Sequence, residues 1–124
     1  MTDQTASGDT SRYDEFQSFR AKLNEEILSR GTTHTKRFFN LDTRAYEPGA
    51  LDQKTKELLG LTASLVLRCD DCIAYHIDQA VKSGVTDTEL WETFDIALVV
   101  GGSIMVPHLR RAVAFLDECR ARST

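Results

Sequence analysis

The sequence predicts an all-α protein: a bundle of about five or six helices, paired antiparallel through short loops and assembled as an oligomer. Three observations lead there. Apolar residues recur at intervals of three and four along most of the chain. No stretch alternates apolar and polar residues as a half-buried strand would. The breaks between periodic stretches carry Gly, Pro or helix-capping residues.

Residues 1–10 are rich in Ser, Thr, Asp and Gly and read as a flexible tail, leaving 11–124 as one helical domain. From Tyr13 to Leu28 the set Tyr13, Phe16, Phe19, Leu23 and Ile27 marks a helix, with Gly31 just past its end. Gly31 to Thr35 is a polar connector, and Arg37 to Ala45 a short helix anchored by Phe38, Phe39 and Leu41. Glu47-Pro48-Gly49 is a loop. Asp52 caps a longer helix, Gln53 to Leu67, whose second half is apolar nearly all round and must be covered by the domain or by another subunit. Gly60, having no side chain, admits close approach of another backbone. Ile73 to Ser83 is the next helix, ended by Gly84. Thr86-Asp87-Thr88-Glu89 is a capping box that opens another, which Gly101-Gly102 interrupts. The last runs from Ser103 to Arg120 on Met105, Leu109, Val113 and Leu116, with Ser103 as its cap.

Composition narrows the function. The chain has 124 residues and 41% apolar content, enough for one ordinary core. Its net charge of −4 argues against nucleic-acid binding, which needs a basic face. No apolar run is long enough to span a membrane, and the N-terminus lacks the pattern of a signal peptide. These features place the protein in the cytoplasm, where a close cysteine pair is redox or metal chemistry rather than a permanent staple.

That pair is the chemical centre of the sequence. Cys69 and Cys72 sit three apart, and His76 follows four after the second. If the chain is helical from Asp70 onward, Cys72 and His76 lie one turn apart on one face, with Cys69 at the helix start. The nucleophile in thiol chemistry is the thiolate. A helix N-terminus stabilises negative charge, which favours Cys72, and His76 can take its proton directly or through one water. Glu57, from the preceding helix, can orient His76 or relay that proton. Asp70 and Asp71 would oppose thiolate formation if they faced the sulfurs, and they are expected to point outward. A thiolate attacks a peroxide to give a sulfenic acid, and the neighbouring thiol condenses with it to a disulfide. The same pair can instead exchange with a partner's disulfide.

Glu57, eleven residues, Cys69-x-x-Cys72, three residues, His76 resembles the signature of the alkylhydroperoxidase D-like group of the carboxymuconolactone decarboxylase superfamily. The resemblance extends over about Phe38 to Cys119, including Gly101-Gly102 between two apolar helices. It implies an all-helical fold assembled as a homo-trimer or homo-hexamer. It also implies peroxidase or disulfide-reductase activity on a hydroperoxide, with an antioxidant role. The electrons would come from a dithiol donor, dihydrolipoamide or a thioredoxin-like protein, or from a peroxiredoxin partner. In that scheme Cys72 is the accessible, reactive cysteine, Cys69 resolves, and His76 and Glu57 form a proton relay; no organic cofactor is needed. The superfamily's true decarboxylases lack the cysteine pair. Two departures stand out: the best-characterised peroxidases carry a histidine where this chain has Asp71, and this chain is shorter.

Other readings compete. Two thiolates, an imidazole and a carboxylate could complete a zinc site. The cysteines could be small buried residues in a non-catalytic helical assembly. A decarboxylase-like lyase acting on a cyclic acid would leave them incidental. Cys119 is unpaired by count and reads as a structural or surface thiol. His108 reads as a surface or interface residue that could line the pocket, and Arg110 and Arg111 as a solvated face or subunit salt bridges.

Overall fold

The computed structural model of the chain describes residues 11–123. The tail expected over 1–10 lies outside them. Among the described residues six α-helices and one short 3-10 turn form, and no strand. The chain divides between Ala45 and Tyr46 into two compact units.

The first unit holds α1 (Arg12–Arg30) and α2 (Thr33–Ala45), which pack on each other. Ser11 caps α1, its hydroxyl accepting from the Asp14 amide at 3.1 Å. Gly31 follows α1 as expected, but in extended backbone. Its role is room: a Cβ there would lie 2.7 Å from the Ile27 carbonyl and 2.8 Å from Thr35. The expected five-residue connector shrinks to Gly31 and Thr32, because Thr32 and Thr35 cap reciprocally, each hydroxyl accepting from the other's amide. That pairing starts α2 four residues earlier than its apolar anchors suggest. Neither helix buries a residue fully, since two helices alone cannot enclose a core.

The second unit holds α3 (Gln53–Leu67), α4 (Asp70–Lys82), α5 (Asp87–Gly101), the 3-10 turn Ser103–Met105 and α6 (Val106–Ser123). Asp52 caps α3 through the Thr55 amide at 2.8 Å, and the Thr86–Glu89 capping box closes in both directions at the start of α5. α3 packs on α4 and α5, and α4 also packs on α6. Lys54 meets Glu89 where α3 and α5 begin, and His108 meets Asp70 where α6 and α4 begin. Consecutive helices are therefore antiparallel and alternate ones parallel. The core is Leu61, Leu65, Ile73, Ile77, Leu90, Phe94, Met105 and Phe115, each at most 2% exposed. On α6 the buried stripe is Ala112, Phe115, Leu116 and Cys119, while the expected Leu109 and Val113 are half-buried. Ser103, expected as a cap, opens the 3-10 turn instead; Pro107 is tolerated because it falls in the first turn of α6. No helix among the described residues is long and apolar enough to cross a membrane.

Candidate active site

The site is built on the reversal between α3 and α4. α3 stops because Arg68 adopts a left-handed conformation, φ 60° and ψ 42°. Its amide bonds the Leu65 carbonyl at 3.0 Å, and the Cys69 amide reaches back to Ser64 at 3.1 Å, the paired bonds of a Schellman turn. Glu57, Leu61 and Ser64 are buried on α3, whereas Arg68 is exposed beyond the helix end. A non-glycine residue there costs about 1 kcal/mol or more. In return Cys69 becomes the N-cap of α4, with its carbonyl accepting from the Ile73 amide at 2.9 Å. α4 thus starts at Asp70, ahead of its apolar stripe, and Cys72 stands in its first turn among exposed N–H groups.

The two sulfurs are 3.0 Å apart, within hydrogen-bond reach and not joined as a disulfide. Cys72 is exposed and Cys69 half-buried. One turn further, His76 is buried. Its Nδ1 lies 2.8 Å from Oε1 of Glu57, which is 2% exposed. A buried carboxylate needs such a partner, and the antiparallel packing of α3 on α4 supplies it across nineteen positions of sequence. All four residues singled out from the sequence, Glu57, Cys69, Cys72 and His76, thus fall at the paired ends and faces of α3 and α4. Among the described residues no three His, Cys, Asp or Glu side chains are grouped to hold a metal ion.

Two features were not legible in advance. Gly60 admits side chains, not a backbone: a Cβ there would lie 2.7 Å from the Tyr46 hydroxyl and 2.7 Å from Cε1 of His76. Into that space Tyr46, from the segment before α3, brings its hydroxyl to 3.3 Å from Nε2 of His76. No local pattern marked Tyr46, which is thirty residues from His76. The second feature is the set of partners that Asp70 meets, away from the sulfurs. His108 Nδ1 lies 2.8 Å from one of its oxygens, and Arg111 Nε donates to the other at 2.9 Å. Arg111 also brings Nη2 to 3.3 Å from His108 Nδ1. His108 and Arg111 therefore clamp α6 to α4, with Arg111 still exposed. Partial burial opposes ionisation of Asp70, but the His108 hydrogen bond and the Arg111 charge outweigh it and hold its carboxyl below the usual range. The negative charge next to Cys69 is thereby compensated. Asp71 is exposed, as expected.

Residues 33–118 match the carboxymuconolactone decarboxylase family. The chain is 30% identical over 93 residues to a Paracoccus denitrificans protein known as uncharacterized protein 4 in cox locus, covering 75% of this chain and 84% of that one. It is 62% identical to TM1620 from Thermotoga maritima, with a TM-score of 0.87, covering 90% of this chain and 97% of that one. A crystal structure of TM1620 describes it as a carboxymuconolactone decarboxylase family protein with a suggested involvement in antioxidative response. A further likeness is lpg0406 from Legionella pneumophila, 26% identical with a TM-score of 0.81, covering 87% of this chain and 96% of that one. With the fold shared and most of its length matched, this chain belongs to the carboxymuconolactone decarboxylase family.

Proposed function

We propose that this chain is a thiol-dependent peroxidase and disulfide oxidoreductase of the alkylhydroperoxidase type. The observation that carries the reading is the pair of thiols 3.0 Å apart, one exposed, one helical turn before a buried imidazole–carboxylate pair. A structural role would not require an exposed cysteine beside its neighbour. The suggested involvement of TM1620 in antioxidative response agrees with it.

In this reading the Cys72 thiol gives its proton to His76, whose Nδ1–H is held by Glu57. The helix N-terminus stabilises the thiolate. The thiolate attacks the terminal oxygen of a hydroperoxide. The O–O bond breaks, an alcohol leaves with the proton, and Cys72 becomes a sulfenic acid. The Cys69 thiol then attacks that sulfur, forming the disulfide and releasing water. A dithiol donor, dihydrolipoamide or a thioredoxin-like protein, reduces the pair by two exchange steps and leaves as its own disulfide. The reaction belongs in the cytoplasm, where such donors are kept reduced. The whole cycle uses side chains and the donor, with no bound organic cofactor.

The test is hydroperoxide consumption by the purified protein with dihydrolipoamide as donor, beside mass measurement of the protein after peroxide alone. Peroxide should remove two hydrogens from the wild type by joining Cys69 to Cys72, and Cys72→Ser should abolish both this and turnover. Full turnover in Cys72→Ser, or an unchanged mass in the wild type, would sink the reading.

A further inference from the structure

We propose that Tyr46 is a positioning residue of this site: its phenol holds the Nε2 edge of His76 in both protonation states of the ring. The proposal rests on the relay role given to His76 above, and it is carried by two independent observations.

The first is the hydrogen-bonding arithmetic of the ring. An ionised carboxylate only accepts, so Glu57, 2.8 Å from Nδ1, requires a proton on that nitrogen. The neutral ring then has its single lone pair at Nε2, where the Tyr46 hydroxyl stands at 3.3 Å. The hydroxyl donates to that lone pair. When the ring takes a proton, Nε2–H donates to the phenol oxygen instead. Only one hydrogen rotates, and the heavy atoms keep their places. A carboxylate at that edge would lock the ring charged, and an ammonium would lock it neutral. A hydroxyl does neither, and so suits a base that must cycle. Because Glu57 occupies the Nδ1 edge, any proton taken by the neutral ring arrives at the edge that Tyr46 holds.

The second is that the space for this contact is built. Gly60 sits inside α3, where glycine is a poorer helix former than alanine. A Cβ at that position would stand 2.7 Å from the Tyr46 hydroxyl and 2.8 Å from Nε2 itself. The helix leaves a gap at the point where phenol and imidazole meet. Other groups facing the ring are Glu57 from α3 and, on α4, Tyr75, edge-on at 5.2 Å, with Cys72 one turn before it.

The experiment uses the full chain with nitrogen-15 histidine and reads the ring nitrogens of His76 by NMR at a pH where the ring is neutral. His34 and His108 are identified by single His→Gln variants. The wild type should show the Nδ1–H form with a hydrogen-bonded Nε2. Tyr46→Phe should keep Nδ1–H and move Nε2 downfield, to the position of a lone pair that accepts nothing. Gly60→Ala, which crowds the contact while keeping the hydroxyl, should move Nε2 the same way. Alkylation of Cys72 by iodoacetamide, followed against pH, should slow about fivefold near neutrality in Tyr46→Phe, because the charged ring loses a stronger hydrogen bond to the phenol than the neutral ring does. An Nε2–H neutral ring in the wild type would overturn the proposal even if both variants failed to fold. So would an Nε2 signal unmoved by Tyr46→Phe. These readings need no turnover: a chain without peroxidase activity but with the expected nitrogen shifts would sink the proposed function and leave the Tyr46 assignment standing.

Discussion

Three cysteines in one short chain occupy three environments, and their chemistry follows from those environments. Cys119 is 3% exposed, and burial, aided by the neighbouring Asp78 charge, pushes its thiol up to about 12. Asp78 is itself buried and ion-paired to Lys82 at 3.0 Å. Cys119 is thus a core residue, inert as a nucleophile, which settles the choice between structural and surface thiol left open by the sequence. In the native protein at about pH 8, iodoacetamide should modify Cys72 and leave Cys119 untouched, with Cys119 reacting only after unfolding in guanidinium. Peptide mass mapping reads this directly. Rapid labelling of Cys119 in the folded chain would show that the α4–α6 contact opens readily. The counting argument could flag Cys119 as the odd cysteine. Only its packing against α4 could say what kind.

The element that matters most is the start of α4. It is held on one side by the Arg68 turn out of α3 and on the other by the clamp from α6 to Asp70. The clamp makes a pH prediction. Asp70 has a lowered pKa in the folded chain, so its contribution to stability is complete above the ordinary aspartate value of about 3.9. That contribution is lost as the pH falls through the lower folded value. Because Arg111 is half-exposed, the ion pair is worth only about 0.5–1 kcal/mol at neutral pH. Asp70→Asn should cost about that much in urea unfolding at pH 6, and the gap to the wild type should narrow as the pH is taken below 3.9. A gap of constant size down to pH 2 would mean that the clamp acts by packing and not by charge. Helix caps at Asp52 and Thr86 were readable because a cap spans only three residues; the clamp was not, because Asp70 and His108 are thirty-eight apart.

At the scale of the whole molecule, the second unit leaves much apolar surface uncovered. Leu67 is 76% exposed, Val99 84% and Val100 66%. They share one end of the unit, since a Cβ at Gly101 would lie 3.6 Å from Val66. Leu59, Ile96 and Ile104 are each more than half exposed as well. A patch of this kind is buried most simply by further copies of the chain in a closed ring. Light scattering at micromolar concentration should give the mass of a trimer or hexamer, and Val99→Glu should shift it downward. A wild-type monomer would refute the expectation. The apolar character of the second half of α3 was plain in the sequence, but not its division: Leu61 and Leu65 are wholly buried in the unit and Leu67 is left outside.

The sequence by itself determined what depends on short separations. Helix periodicity, the caps at Asp52 and Thr86, and the Cys69–Cys72–His76 spacing each lie within a turn or two, and backbone geometry converts such spacing into position without help from the rest of the chain. The tertiary structure decided every contact made across the bundle: which atom of Glu57 meets His76, that Tyr46 fills the gap at Gly60, and that Asp70 is answered from α6. Those depend on how whole helices pack against one another, and the packing is set by the combined burial of many side chains, a quantity that no short stretch of sequence contains.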